Sequence, residues 1–102
     1  MKLPGQCEIR QGGKTWHFYF GIDATAEFLH MNGISLNQFA QPFIDHEMKA
    51  LLDMFYCALA AGNTGMPDGL LRKDFGKWLD QADEGSMAEL LRGYTTSKPL
   101  GK

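Results

Sequence analysis

The chain has little of what chemistry on a protein surface usually requires. Its 102 residues include only 2 cysteines, Cys7 and Cys57, one in a predicted strand and the other in a predicted helix. Two cysteines so placed make no disulfide framework. They read as buried thiols acting as small hydrophobes, which suits a reducing, cytoplasmic compartment. The 3 histidines, His17, His30 and His46, form no His-x-x-x-His pair, and no Cys-x-x-Cys pair occurs. Metal-ligand spacing is therefore missing, and neither a metal nor a cofactor is expected. Basic residues number 10 against 12 acidic ones, for a net charge of −2, and no basic run exceeds Arg72-Lys73. A nucleic-acid partner needs a basic patch that displaces counterions from phosphates, so none is expected. The longest apolar run, residues 54–61, falls far short of the ~20 residues of a membrane span. Residues 1–6 carry no apolar core of a signal peptide.

What the chain does have is apolar and aromatic bulk. Apolar residues make up 44% and charged residues 22%, with 7 Phe, 3 Tyr, 2 Trp and 6 Met. That composition predicts one globular domain, burying roughly 60–65% of its unfolded surface. Pro4-Gly5 breaks the start, leaving residues 1–5 as a loose lead. Period-two alternation in Cys7-Glu8-Ile9-Arg10 and in Trp16-His17-Phe18-Tyr19-Phe20 predicts half-buried strands. Gly12-Gly13 between them supplies the positive φ angles of a tight turn. Residues 6–11 and 14–20 thus form a hairpin with Cys7, Ile9, Trp16, Phe18 and Phe20 inward. Such a hairpin is marginal alone and must pack on helices.

Five helices are expected after it. Asp23 caps the first, about 23–32, with a stripe of Ala26, Phe28, Leu29 and Met31 before Asn32-Gly33. Ser35 and Gln38 form a capping box for a short helix, 35–41, that Pro42 ends, with Leu36, Phe39 and Phe43 apolar. Asp45 caps the central helix, 46–61, where Met48, Leu51, Leu52, Phe55 and Leu59 keep helical spacing. Pro67 and Asp68 open a helix over 68–82 that places Leu71, Phe75, Trp78, Leu79 and Ala82 on one face. Ser86 and Glu89 form a second capping box for 86–93, with Leu90 and Leu91 inward. The fold class is α+β, a single domain over 1–94 with a flexible tail over 95–102.

The possible reactive constellations are weak. Cys57 with His17 or His46 makes a nucleophile pair only on paper, because Cys57 lies inside Phe55-Tyr56-Cys57-Ala58-Leu59. Gly12-Gly13-Lys14-Thr15 is similar to the end of a phosphate loop, but it sits between two strands and lacks the earlier glycine. Asp80, Asp83 and Glu84 lack a calcium-loop pattern and read as a solvated helix end. No enzyme is expected. Excess apolar surface is the remaining resource: residues such as Met31, Met54, Met66 and Tyr94 compete for one small core. The aromatic side chains Phe39, Phe43, Tyr56 and Trp78 are the candidate partner-binding residues. The second hairpin strand offers an edge for pairing between subunits.

This order of elements resembles one family, the tail assembly chaperones of long-tailed bacteriophages and the related small proteins of gene-transfer-agent clusters. The resemblance rests on Gly12-Gly13-Lys14-Thr15-Trp16-His17-Phe18, on Gly33-Ile34-Ser35-Leu36 and on Phe55-Tyr56-Cys57-Ala58-Leu59. It covers residues 9–61 well and 67–94 loosely. The resemblance implies a non-enzymatic protein of the bacterial cytoplasm that coats the tape measure protein during tail morphogenesis. It also implies absence from the finished virion and, in many members, a longer form made by ribosomal frameshifting, with which the Gly101-Lys102 ending is compatible. Weak self-association is a further expectation. Two other readings stay open: a virion structural subunit such as a tail terminator or connector, and a small phage-encoded inhibitor of a host protein.

Overall fold

Two strands with one apolar face cannot exclude water by themselves, and the molecule is organised around covering that face. The computed structural model describes residues 4–97. Strands β1 (Gln6–Gln11) and β2 (Lys14–Tyr19) pair antiparallel with Cys7 opposite Phe18 and Ile9 opposite Trp16. Gly12 and Gly13 both have positive φ, 64° and 78°, as a two-residue hairpin turn requires. Cys7, Ile9, Trp16, Phe18 and Phe20 are all buried, so the expected inner row is the observed one. Five α-helices complete the α+β fold: α1 (Ile22–Asn32), α2 (Gln41–Asp45), α3 (Glu47–Ala61), α4 (Arg72–Asp80) and α5 (Ser86–Thr96). Helices α3 and α5 pack on the hairpin, while α1, α2 and α4 pack on α3.

Helix α3 is central because its apolar residues wrap more than half its circumference. Ala50, Met54, Phe55, Cys57, Ala58 and Leu59 are buried, and Leu51 and Leu52 are half-buried. Met48, expected on this face, is 61% exposed because the helix begins clear of its neighbours. At the edge of the buried face sits Asp53, 1% exposed. Its carboxylate accepts from Arg72 Nε at 2.6 Å and from Lys49 Nζ at 3.0 Å. A buried carboxylate is costly unless both oxygens are answered by charge-assisted bonds, and here each oxygen has one. The pair thereby pins the start of α4 to α3, beside the bond from the Tyr56 hydroxyl to the Leu70 carbonyl at 2.9 Å.

Several expected helix boundaries are corrected, each by a local competition for backbone groups. Helix α1 starts one residue before Asp23, capped by extended Gly21, so Asp23 lies in the first turn. There its charge still favours the positive end of the helix dipole. The buried face becomes Ala24, Thr25 and Phe28, leaving Ala26 and Met31 exposed. The capping contact at Ser35 is present, with Gln38 Oε1 accepting the Ser35 amide at 3.0 Å, but it opens only a 3-10 turn, Leu36–Gln38. Pro42 does not end a helix over 35–41; it lies in the first turn of α2, where its missing N–H costs nothing. Asp45 is the last residue of α2 and accepts from Gln41 Nε2 at 2.9 Å, so His46 takes the capping position of α3.

Pro67 and Asp68 form a turn instead of a helix start. The Leu70 amide bonds the Pro67 carbonyl at 3.1 Å, and Leu71 is the extended cap before Arg72. Leu71 is consequently exposed, and Ala82 leaves α4 to bridge Gln11 of β1. At α5 the cap is Gly85; Ser86 Oγ donates to the Asp83 carbonyl at 2.6 Å, and the Glu89 carboxylate holds Arg92. That corrects the second capping box. Leu90 is buried, but Leu91 faces out. Thr95 and Thr96, expected in the tail, belong to α5, and residues 98–102 lie outside those described. The lead is corrected in part: Pro4 and Gly5 form a turn whose Gly5 carbonyl accepts the Phe20 amide at 2.7 Å.

Two substitutions test this account. A Cβ built on Gly62, just after α3, would meet the His17 carbonyl oxygen at 1.9 Å, which no side-chain movement relieves. Gly62→Ala is expected to destabilise by about 2–3 kcal/mol, measured by urea unfolding. Arg72→Ala, which strips the buried Asp53 of its closest partner, is expected to cost about 3 kcal/mol, against under about 1 kcal/mol for Lys49→Ala on the exposed side.

Candidate functional site

The four candidate partner-binding residues do not form one surface. They divide between two aromatic groups on different parts of α3's surroundings, and all four are half-buried. Phe39 and Phe43 rest on Phe28 of α1, at ring-centre distances of 5.4 and 5.2 Å, and Phe43 stacks on Tyr94 of α5 at 5.7 Å. Tyr56 meets Phe75 edge-on at 5.4 Å, and Phe75 stacks on Trp78 at 5.8 Å. Trp78 then meets Trp16 of the hairpin edge-on at 5.6 Å, with the Lys14 ammonium 4.4 Å from the Trp16 ring centre. These contacts spend most of each ring on the protein's own core. The sequence singled them out for their size, and size is also why the core takes them.

The side chains left open to solvent are smaller and aliphatic. Ile22 is 74% exposed, Ile44 73% and Leu36 53%. Together with Met48, three of these fall between positions 36 and 48. Ile44 has a signal in the sequence once α2 is placed. Phe39 and Phe43 are four apart and share the inner face, so the next residue, Ile44, is turned about 100° away from it. Reading Pro42 as a helix end concealed that register.

The edge of β2, expected to be open for pairing, is occupied at His17. Thr64 Oγ1 accepts the His17 amide at 3.0 Å, and Gly62 presses against the His17 carbonyl. The edge of β1 is also occupied: its Arg10 carbonyl accepts the Asp83 amide at 3.0 Å, and its Gln6 carbonyl accepts from Arg92 Nη2 at 2.8 Å. Each edge is thus interrupted where a neighbouring element bonds it, which shortens the row offered to an incoming strand.

Two clefts flank the hairpin. One, of about 420 Å³, is lined by Glu8, Arg10, Thr15, Asp83, Glu84 and Glu89 among others. Arg10 is already engaged there with Thr15 Oγ1 and the Gly13 carbonyl, each at 3.2 Å. The other, of about 320 Å³, lies between the His17–Tyr19 backbone region and residues 61–63. Among the described residues, no group of three or more His, Cys, Asp or Glu side chains is placed to hold a metal ion. Likewise, no described helix is long and apolar enough to cross a membrane.

The paper nucleophile is not one at neutral pH. Cys57 is buried between α3 and its neighbours, and burial, reinforced by the charges of Glu27 and Asp53 against Arg72, pushes its thiol up from 9.0 to about 12. Comparison of the chain with protein-family models, curated proteins and solved structures finds no match.

Both thiols are therefore expected to resist an aromatic disulfide reagent in the folded protein and to react fully in denaturant. The raised Cys57 value also sets a pH dependence. The neutral thiol is retained in the fold, so its contribution is complete below pH 9.0 and lost as the pH rises toward about 12. Urea unfolding of Cys57→Ala is expected to show a shallower alkaline loss of stability than the unsubstituted protein.

Proposed function

We propose that this protein is a non-enzymatic tail assembly chaperone of a phage or prophage, which binds the tape measure protein in the host cytoplasm and keeps it soluble until the tail tube forms. The reading starts from the resemblance carried by the Gly-Gly-Lys hairpin turn, the Gly33-Ile34-Ser35-Leu36 segment and the Phe55–Leu59 helix centre. The α+β fold, a hairpin followed by five helices, has the layout that the resemblance implies. The observation that supports it most is the exposed set Leu36, Ile44 and Met48, running from the 3-10 turn to the first turn of α3. Exposed aliphatics and a methionine suit a long, aggregation-prone client, because they make apolar contact without a fixed pocket. In this reading the contact surface moves from the aromatic rings to the aliphatic side chains beside them. Phe39 and Phe43 then act from beneath, by fixing the register that turns Ile44 outward.

The test is co-expression with the long open reading frame encoded just downstream, reading co-purification and client solubility. Capture with a gain in solubility is expected. Ile44→Asp combined with Met48→Asp is expected to reduce capture at least tenfold while changing stability by no more than about 0.5 kcal/mol per site, as is usual for exposed positions. No capture with both proteins well expressed would overturn the reading in favour of a virion structural subunit or an inhibitor of a host protein.

A further inference from the structure

The segment between α1 and α3 shares with α1 the lack, among the described residues, of a hydrogen bond to another element, but unlike α1 it has no buried face to hold it. Among the described residues, every hydrogen bond made by residues 35–45 closes within residues 35–46. The Gln38 and Phe39 amides go to Ser35 and Leu36, Phe43 and Ile44 both go to Ala40, and His46 goes to Pro42. The segment contains no fully buried residue. What fixes it is packing alone, of α2 against α3 and of the rings of Phe39 and Phe43 on Phe28 and Tyr94. By contrast, α4 is tied to α3 by the Asp53–Arg72 ion pair, and α5 to β1 by the bond from Arg92 to Gln6.

The two ends of this segment are both places where the backbone departs from helix. Gly33 closes α1 with φ 63°, and His46 separates α2 from α3 with φ −145° and ψ 64°. Both are exposed. An element that keeps its own hydrogen bonds on leaving, and loses only side-chain packing, opens at a lower cost than one whose ladder must break.

We propose that residues 35–45 form a strap that opens as a unit about Gly33 and His46 while the hairpin and the other helices stay folded. Opening lifts Phe39 and Phe43 off their seat and uncovers Phe28, which is fully buried when the strap is closed. The strap carries Leu36 and Ile44, so the same movement carries exposed aliphatic side chains away from the body. The opening is a property of the fold and holds whether or not a tape measure protein is the client.

Native-state proteolysis with chymotrypsin tests it, because the enzyme takes Phe39 or Phe43 into its own pocket only after the ring has left its seat. Initial cleavage rates at these two bonds, read by mass spectrometry of the intact chain's fragments, are compared across urea concentrations below the unfolding transition. Amide exchange at Phe55 and Ala58 of α3 supplies the rate of global opening in the same solutions. Cleavage at Phe39 and Phe43 is expected to change by less than about threefold over a range in which exchange at α3 rises by more than about tenfold. Fragments ending at Phe39 or Phe43 that appear only with the urea dependence of α3 would overturn the proposal, since the strap would then leave only when the whole chain unfolds.

Discussion

A single row of apolar side chains on a two-stranded hairpin is the constraint on which the rest depends. Cys7, Ile9, Trp16 and Phe18 point one way, and a sheet of two strands has no second layer of its own with which to cover them. Helix α3 covers β2, and α5 lies along β1 and reaches β2. The close approach of α3's end to β2 is possible only because residue 62 has no side chain to hold it off. Once α3 is fixed there, the positions of α1, α2 and α4 follow from which of its remaining faces need shielding. Asp53 shows how strict that demand is: a carboxylate survives on the covered face because Arg72 and Lys49 reach it from opposite oxygens.

The elements legible in the sequence were those set by a strong period. Alternation of large residues across Gly12-Gly13 defined the hairpin, its turn and all five inward side chains, because a one-residue slip would have turned that whole set to solvent. The length and placement of α3 were legible for the same reason. Boundaries were not, because several residues near each end can satisfy the same backbone groups. Asp23 is a sound capping residue, yet Gly21, already extended after β2, closes the helix first. Ser86 had a partner three residues on, yet its hydroxyl found the Asp83 carbonyl and Glu89 found Arg92. Pro67-Asp68 is as good a turn as a helix start, and Gly69, with φ 75°, decides for the turn. The partners of Asp53 were half legible: Lys49 lies one helical turn away, but nothing in the chain order joins Asp53 to Arg72.

The candidate surface was less legible than the fold. Size drew attention to Phe39, Phe43, Tyr56 and Trp78, and size is what the interior selects for. Ring-on-ring contacts absorb them into two aromatic groups, one around Phe28 and Tyr94 and one running from Tyr56 through Phe75 and Trp78 to Trp16. The exposed apolar area passes instead to residues beside them, Leu36, Ile44 and Met48. Binding residues of this kind are set by what the core leaves over, which a residue list without register does not give.

The bond from the Gly5 amide to Thr96 Oγ1, at 3.3 Å, joins positions near the two limits of the described chain. Together with the Gly5–Phe20 bond, it brings β2, the entry turn and the last turn of α5 to one spot. The path of the chain is thus almost a closed ring. A short linker joining residue 96 to residue 5 would complete it, and a new opening in an exposed turn elsewhere would leave every described helix and both strands whole. For folding, the ring carries a penalty of its own: the contact that seals it has one of the largest sequence separations in the molecule, so it rewards the chain only after nearly all of it has been made.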